Sequence, residues 1–83
     1  MSHNTLPQLS ETAQSLLVGS IYEHYKGHRY KIIAVARLEE NLEEHVIYQA
    51  IDGEPHTWAR PVALFLESVI YNGQEKPRFK KIS

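Results

Sequence analysis

Cysteine is absent from the 83-residue chain, which removes a disulfide framework and a thiolate metal centre as explanations for anything that follows. A reducing compartment fits that absence without being demanded by it. Long apolar runs are missing too. The longest, at positions 32–36 and 62–66, hold five residues each, far short of the roughly 20 that a bilayer-spanning helix needs. The opening residues Met1 to Pro7 contain neither a basic stretch nor an apolar one, so no signal peptide is expected and a cytoplasmic location is. Excess charge of either sign is lacking as well. Nine basic residues face ten acidic ones, which supplies no general attraction to nucleic acid or anionic lipid.

What is present is unevenly placed. Glu39, Glu40, Glu43 and Glu44 crowd one polar stretch, while Lys76, Arg78, Lys80 and Lys81 crowd the C-terminal end. A chain this short buries about 60% of its extended surface on folding, so nearly every large apolar residue is needed for packing.

The pattern divides near Gly19. In residues 1–19, Leu9, Ala13, Leu16 and Leu17 recur at helical spacing, which predicts a helical extension of two to three turns ending near Val18-Gly19. Thr5 with Gln8 resembles a capping box, and Ser10 is the alternative N-cap. Residues 20–83 read as strands and turns. Strands are expected at 21–25, 30–36, 46–51 and 56–60, with turns at 26–29 and 52–55. Pro61 starts a helical turn through Leu66. A final hairpin of 68–71 and 77–82 turns at Asn72-Gly73, with Glu75-Lys76 lengthening the loop or forming a bulge. Short strands at this spacing predict a mainly β fold, a small SH3-like barrel of about five strands with a short helical turn plugging one end.

The ordered set Tyr22-Glu23-His24-Tyr25-Lys26-Gly27-His28-Arg29-Tyr30, Ala36-Arg37, Glu43, Val46, Tyr48-Gln49-Ala50, Gly53, Trp58-Ala59-Arg60-Pro61, Phe65-Leu66-Glu67 and Pro77-Arg78-Phe79 resembles the bacterial family called domain of unknown function 1653. The likeness spans about residues 20–80 and implies an SH3-like barrel but no activity. It also implies a histidine after the Ala-Arg pair and an aromatic before the glycine of the third-strand turn. This chain carries Leu38 and Asp52 there instead.

Two groupings carry candidate chemistry. Tyr22, His24 and Lys26 share one face of an extended strand, a stripe suited to an anion or carbonyl ligand; the competing reading is an ordinary solvated face. Trp58 and Arg60, also two apart and followed by Pro61, offer an indole for stacking and a guanidinium fork for carboxylate or phosphate. Arg37 is expected to join them. The competing reading puts Trp58 in the core, with Arg60 or Arg37 paired to Glu67 or Glu43.

Other constellations are weaker. The five histidines, at 3, 24, 28, 45 and 56, lack the spacing of metal ligands, and no cofactor or metal is expected. No serine sits in a strand-to-helix elbow, and Asp52 is the sole aspartate, so a nucleophilic triad is not indicated. The C-terminal Lys76-Pro77-Arg78-Phe79-Lys80-Lys81 mixes cations with an aromatic, as single-strand binders do. The expected function is therefore a non-enzymatic interaction module for a protein or peptide. Nucleic-acid binding is the alternative, and an enzyme or an accessory domain of one comes third. No membrane association is expected, and the chain is expected as a monomer or a weak homodimer through edge strands.

Overall fold

The computed structural model of the protein describes residues 8–83. Among the described residues, seven strands and two helical turns follow one another as α1 (Glu11–Gln14), β1 (Ile21–His24), β2 (Arg29–Arg37), β3 (Glu44–Ala50), β4 (Thr57–Pro61), α2 (Val62–Phe65), β5 (Ser68–Tyr71), β6 (Gln74–Pro77) and β7 (Phe79–Lys81). The fold is mainly β. Five strands form one antiparallel sheet in the order β4-β3-β2-β1-β7, and β5 and β6 pair with each other in a separate hairpin. The sheet is open: β4 and β7 are its two edges and are not joined by a backbone ladder, so the expected barrel is not closed.

Two local features set its shape. Gly27, at φ 106°, takes a backbone conformation that a side chain disfavours and lets the chain reverse between β1 and β2. In β2 the register with β3 shifts between Ile32 and Ala34, leaving Ile33 as an extra residue. Such a bulge bends and twists its strand. Upstream of it Ile32 faces inward and is fully buried; downstream Val35 lies opposite the buried Val46.

The expected C-terminal hairpin is corrected in one respect. Asn72 and Gly73 do form the turn, with φ of 52° and 77°, the pair of positive angles that a two-residue hairpin turn prefers. The returning strand, however, is Gln74–Pro77, with Tyr71 opposite Gln74. Phe79–Lys81 instead pairs with β1, placing Phe79 opposite His24. Because the turn is two residues long, the return begins at once and runs out by Pro77; Arg78 then crosses to the other sheet. At that crossing the Arg78 N–H donates to the Glu67 carbonyl at 2.9 Å, and Nη2 donates to the Glu67 carboxylate at 2.7 Å.

The core lies on the inner face of the sheet and under α2. Its buried apolar residues are Ala13, Leu16, Tyr22, Ile32, Val46, Tyr48, Val62, Phe65 and Phe79. Phe65 and Phe79 stack with centroids 4.1 Å apart and planes 7° from parallel. Tyr22 and Tyr48 meet Phe65 edge-on at 5.4 and 5.2 Å. Such pairs contribute about 0.5–1.5 kcal/mol each beyond the area they bury.

The N-terminal helix is shorter than its apolar spacing suggested. Among the described residues of this extension only Glu11–Gln14 is helical, and its N-cap is the alternative one, Ser10, accepting from the Ala13 N–H; the capping box at Thr5 lies outside the described residues. The helix cannot run to Val18 because Gly19, at φ 91°, donates its N–H to the Ile32 carbonyl at 2.8 Å and so enters the sheet. Ala13 and Leu16 are buried, whereas Leu17 and Val18 are exposed. Ser10 anchors the turn by donating its N–H and hydroxyl to the two Glu44 carboxylate oxygens at 2.7 and 2.6 Å.

Phe65→Ala is expected to cost about 3–5 kcal/mol, comparable with the whole stability of about 5 kcal/mol for a domain of this size. A urea titration at 25 °C should show the transition shifted close to zero denaturant, with the folded baseline shortened or lost. The Ser10 side-chain and backbone hydrogen bonds lower the Glu44 pKa from its ordinary 4.5. Their contribution is therefore present above that value and lost as pH falls through the lowered one. Wild type should melt above Glu44→Gln near neutrality, and the gap should close in acid.

Candidate binding site

Trp58 and Arg60 leave β4 on the same side. Their register partners on β3 are Tyr48 and Val46, both buried in the core, so both side chains stand on the inner face. The curl of the sheet brings that face of β4 toward the opposite edge, where β1 and β7 set His24 beside Phe79. The result is a shallow depression of about 210 Å³ lined by His24, Tyr30, Tyr48, Trp58, Arg60 and Phe79.

Its floor is aromatic. Tyr30 and Tyr48 meet Phe79 edge-on at 5.7 and 5.3 Å, and each other at 5.3 Å. His24 meets Phe79 edge-on at 5.0 Å. Arg60 lies over the Phe79 ring, 6.0 Å from its centroid, and its Nε donates to the Tyr48 hydroxyl at 3.2 Å. That bond orients the planar guanidinium. Trp58 is 53% exposed and forms the lip, with His56 6.1 Å away.

The lining is rich in donors. His24 Nδ1 accepts the Lys26 N–H at 3.2 Å, so the neutral ring carries its proton on Nε2. Burial lowers the His24 pKa below 6.5, helped by the charges of Arg78, Lys26, Arg60 and His28. The Tyr30 pKa is raised, chiefly by burial and then by Tyr48 and Asp52, with Arg60 opposing, which keeps its hydroxyl protonated. No carboxylate lines the depression. An environment of N–H and O–H donors over aromatic faces suits a ligand with an anionic or carbonyl oxygen attached to a small planar or apolar group.

Three of the six residues singled out from the sequence, Trp58, Arg60 and His24, come together here. The other three do not. Tyr22 turns into the core against Phe65. Lys26 falls past the end of β1, in the turn, with its ammonium 5.9 Å from the Tyr25 ring centroid, so the Tyr22-His24-Lys26 stripe is broken. Arg37 stands at the far end of β2 opposite Glu44, away from Trp58. Nor does Trp58 fill the core, and the cation paired with Glu67 is Arg78.

Sequence reasoning missed Tyr30, Tyr48 and Phe79. Alternation around Val46 and Ile32 marks Tyr48 and Tyr30 as inward-facing, but their convergence on Phe79 depends on pairing across three strands. Among the described residues, no group of three or more His, Asp or Glu is placed to hold a metal ion, and no helix is long and apolar enough to cross a membrane.

The model of the family described as protein of unknown function (DUF1653) matches residues 20–81. The chain is also similar to the crystal structure of a protein belonging to DUF1653 from Bordetella bronchiseptica. The two are 26% identical with a TM-score of 0.71, over 80% of this chain and 87% of that one. No curated protein matches the chain.

His24 should titrate below 6.5 in a pH series of NMR spectra, since burial and its cationic neighbours both disfavour its charged form. Arg60→Ala removes one of those cations and should move the midpoint upward. A midpoint unmoved by the substitution would show that Arg60 does not act on the ring.

Proposed function

Since the chain belongs to the DUF1653 family, described only as proteins of unknown function, we propose its function from the depression itself: a non-enzymatic module that recognises an acidic residue of a protein or peptide partner. The observation that carries this reading is Arg60, held over Phe79 and bonded to Tyr48, beside an indole left more than half exposed. Exposed Trp and oriented Arg are the residue types that dominate recognition energy at protein interfaces. The small volume, about 210 Å³, suits one side chain rather than a larger ligand, for which pockets of about 300 Å³ and upward are usual.

The same geometry favours binding over catalysis. His24 spends its Nδ1 on the Lys26 N–H, and no carboxylate lines the depression to orient it as a base. The contact of His56 Nε2 with the Glu54 carboxylate, at 3.1 Å, lies on an exposed turn. Against the nucleic-acid reading, Phe79 is buried beneath the depression rather than displayed among the C-terminal cations. We read the curled sheet as an SH3-like barrel whose seam is spanned by side chains, Arg60 of β4 over Phe79 of β7, in place of a backbone ladder.

A peptide array tests the function. Capped pentapeptides with threonine at four positions and each of the other amino acids at the centre should bind best with Glu or Asp there. Arg60→Ala should weaken those peptides about tenfold or more, the worth of one charge-assisted hydrogen bond, and erase the preference for acid. Equal binding of acidic and basic peptides by wild type would end the proposal, as would stronger, salt-sensitive retention of a thymidine oligonucleotide.

A further inference from the structure

β4 is an edge of the five-stranded sheet, and among the described residues no strand pairs with its outer side. The phase of its ladder is fixed by the hydrogen bond from the Ala50 N–H to the His56 carbonyl, 3.0 Å. Bonded and non-bonded pairs alternate in an antiparallel ladder. With Tyr48 opposite Trp58 and Val46 opposite Arg60, those two pairs are the bonded ones. The N–H and C=O groups of Thr57 and Ala59 are consequently directed outward, at the free edge. Thr57, Trp58 and Ala59 are all exposed. Pro61 has no N–H to offer and ends the usable edge.

We propose that β4 receives an extended segment of the partner protein as a sixth strand, with one acidic side chain of that segment lying at Trp58 and Arg60. The inference rests on the reading of the depression as an acid-recognising site and adds how the partner's backbone is held. Residues flanking the acid would exchange backbone hydrogen bonds with Thr57 and Ala59. The acid itself would fall in a non-bonded pair with Trp58, on the face that carries the depression and diagonal to Arg60, since directly opposed residues share a face. Backbone bonds then supply affinity, and the alternate side chain supplies selectivity.

Charge complementarity selects this occupant over a second copy of the chain. The face beside β4 carries Arg60 and His24, with the Arg78 and Lys26 charges acting on the same imidazole, and no carboxylate lines it. Pairing β4 with its own twin would bring another Arg60 to that face. An acidic strand would instead meet donors without a competing carboxylate.

The test is an NMR titration with three probes: the capped pentapeptide acetyl-Thr-Val-Glu-Val-Thr-amide, the same peptide N-methylated at both valines, and N-acetylglutamate amide alone. The pentapeptide should slow amide exchange at Thr57 and Ala59 by about tenfold or more, and N-methylation should weaken its binding by a similar factor. Ala59→Pro should do likewise, because it deletes an outward N–H that the ladder to β3 does not use. If that variant unfolds, the N-methylated peptide still decides. Should the pentapeptide and its N-methylated form bind equally, with Thr57 and Ala59 exchange unchanged, strand addition is overturned while the acid site stands. Should none of the probes shift Trp58 or Arg60 resonances, the acid site itself is overturned. A protein already dimeric, with the Thr57 and Ala59 amides protected before any peptide is added, would assign the edge to a second copy and overturn the proposal.

Discussion

The stack of Phe65 on Phe79, 4.1 Å between centroids, is the contact on which the remaining architecture depends. Phe65 comes from the single helical turn between β4 and β5, and Phe79 from the last strand. Their pairing ties the middle of the chain to its end. Tyr22 and Tyr48 close on Phe65 from β1 and β3, so rings from four separate elements meet around one point. In a domain with so little interior, that cluster holds the curl of an open sheet whose edges have no ladder between them.

Phe79 also belongs to the depression. One of its neighbours is the fully buried Phe65; others are Tyr30, Tyr48 and His24 at the site. The floor of the depression is therefore as rigid as the core, because it is part of the core. Stiff aromatic surroundings reduce what a ligand must order when it arrives. The cost is that the floor cannot be altered without disturbing the fold, which leaves Trp58 and Arg60 at the lip as the residues whose substitution probes the site with least damage to the core.

Much of the fold was legible in the sequence because its signals are local. Asn72-Gly73 specifies its own turn, Pro61 starts α2 where expected, and Ile32 and Val46 mark inward faces by alternation. The family likeness over residues 20–80 was legible too. What was not legible depends on distant pairing. Nothing local to Phe79 reveals that it lies opposite His24 rather than returning from Asn72-Gly73. The stripe from Tyr22 to Lys26 failed because β1 ends at His24, whose carbonyl accepts the Gly27 N–H at 2.7 Å and closes a turn that carries Lys26 off the strand. Trp58 and Arg60 were correctly grouped by spacing, but only the register with β3 places them beside Tyr48. Arg37 was misplaced with them because its position along β2, opposite Glu44, is set by that same register.

The extra residue at Ile33 has a mechanical meaning. It puts the two halves of β2 out of step, so the stretch beside Tyr30 and Ile32 and the stretch reaching Arg37 each keep their own alternation. Insertions in the acidic connection between β2 and β3 are thus absorbed on the far side of a dislocation before they reach the aromatic floor. The kink works as a joint between two compartments of one strand, the end near Ser10 and Glu44 on one side and the end near Trp58 on the other.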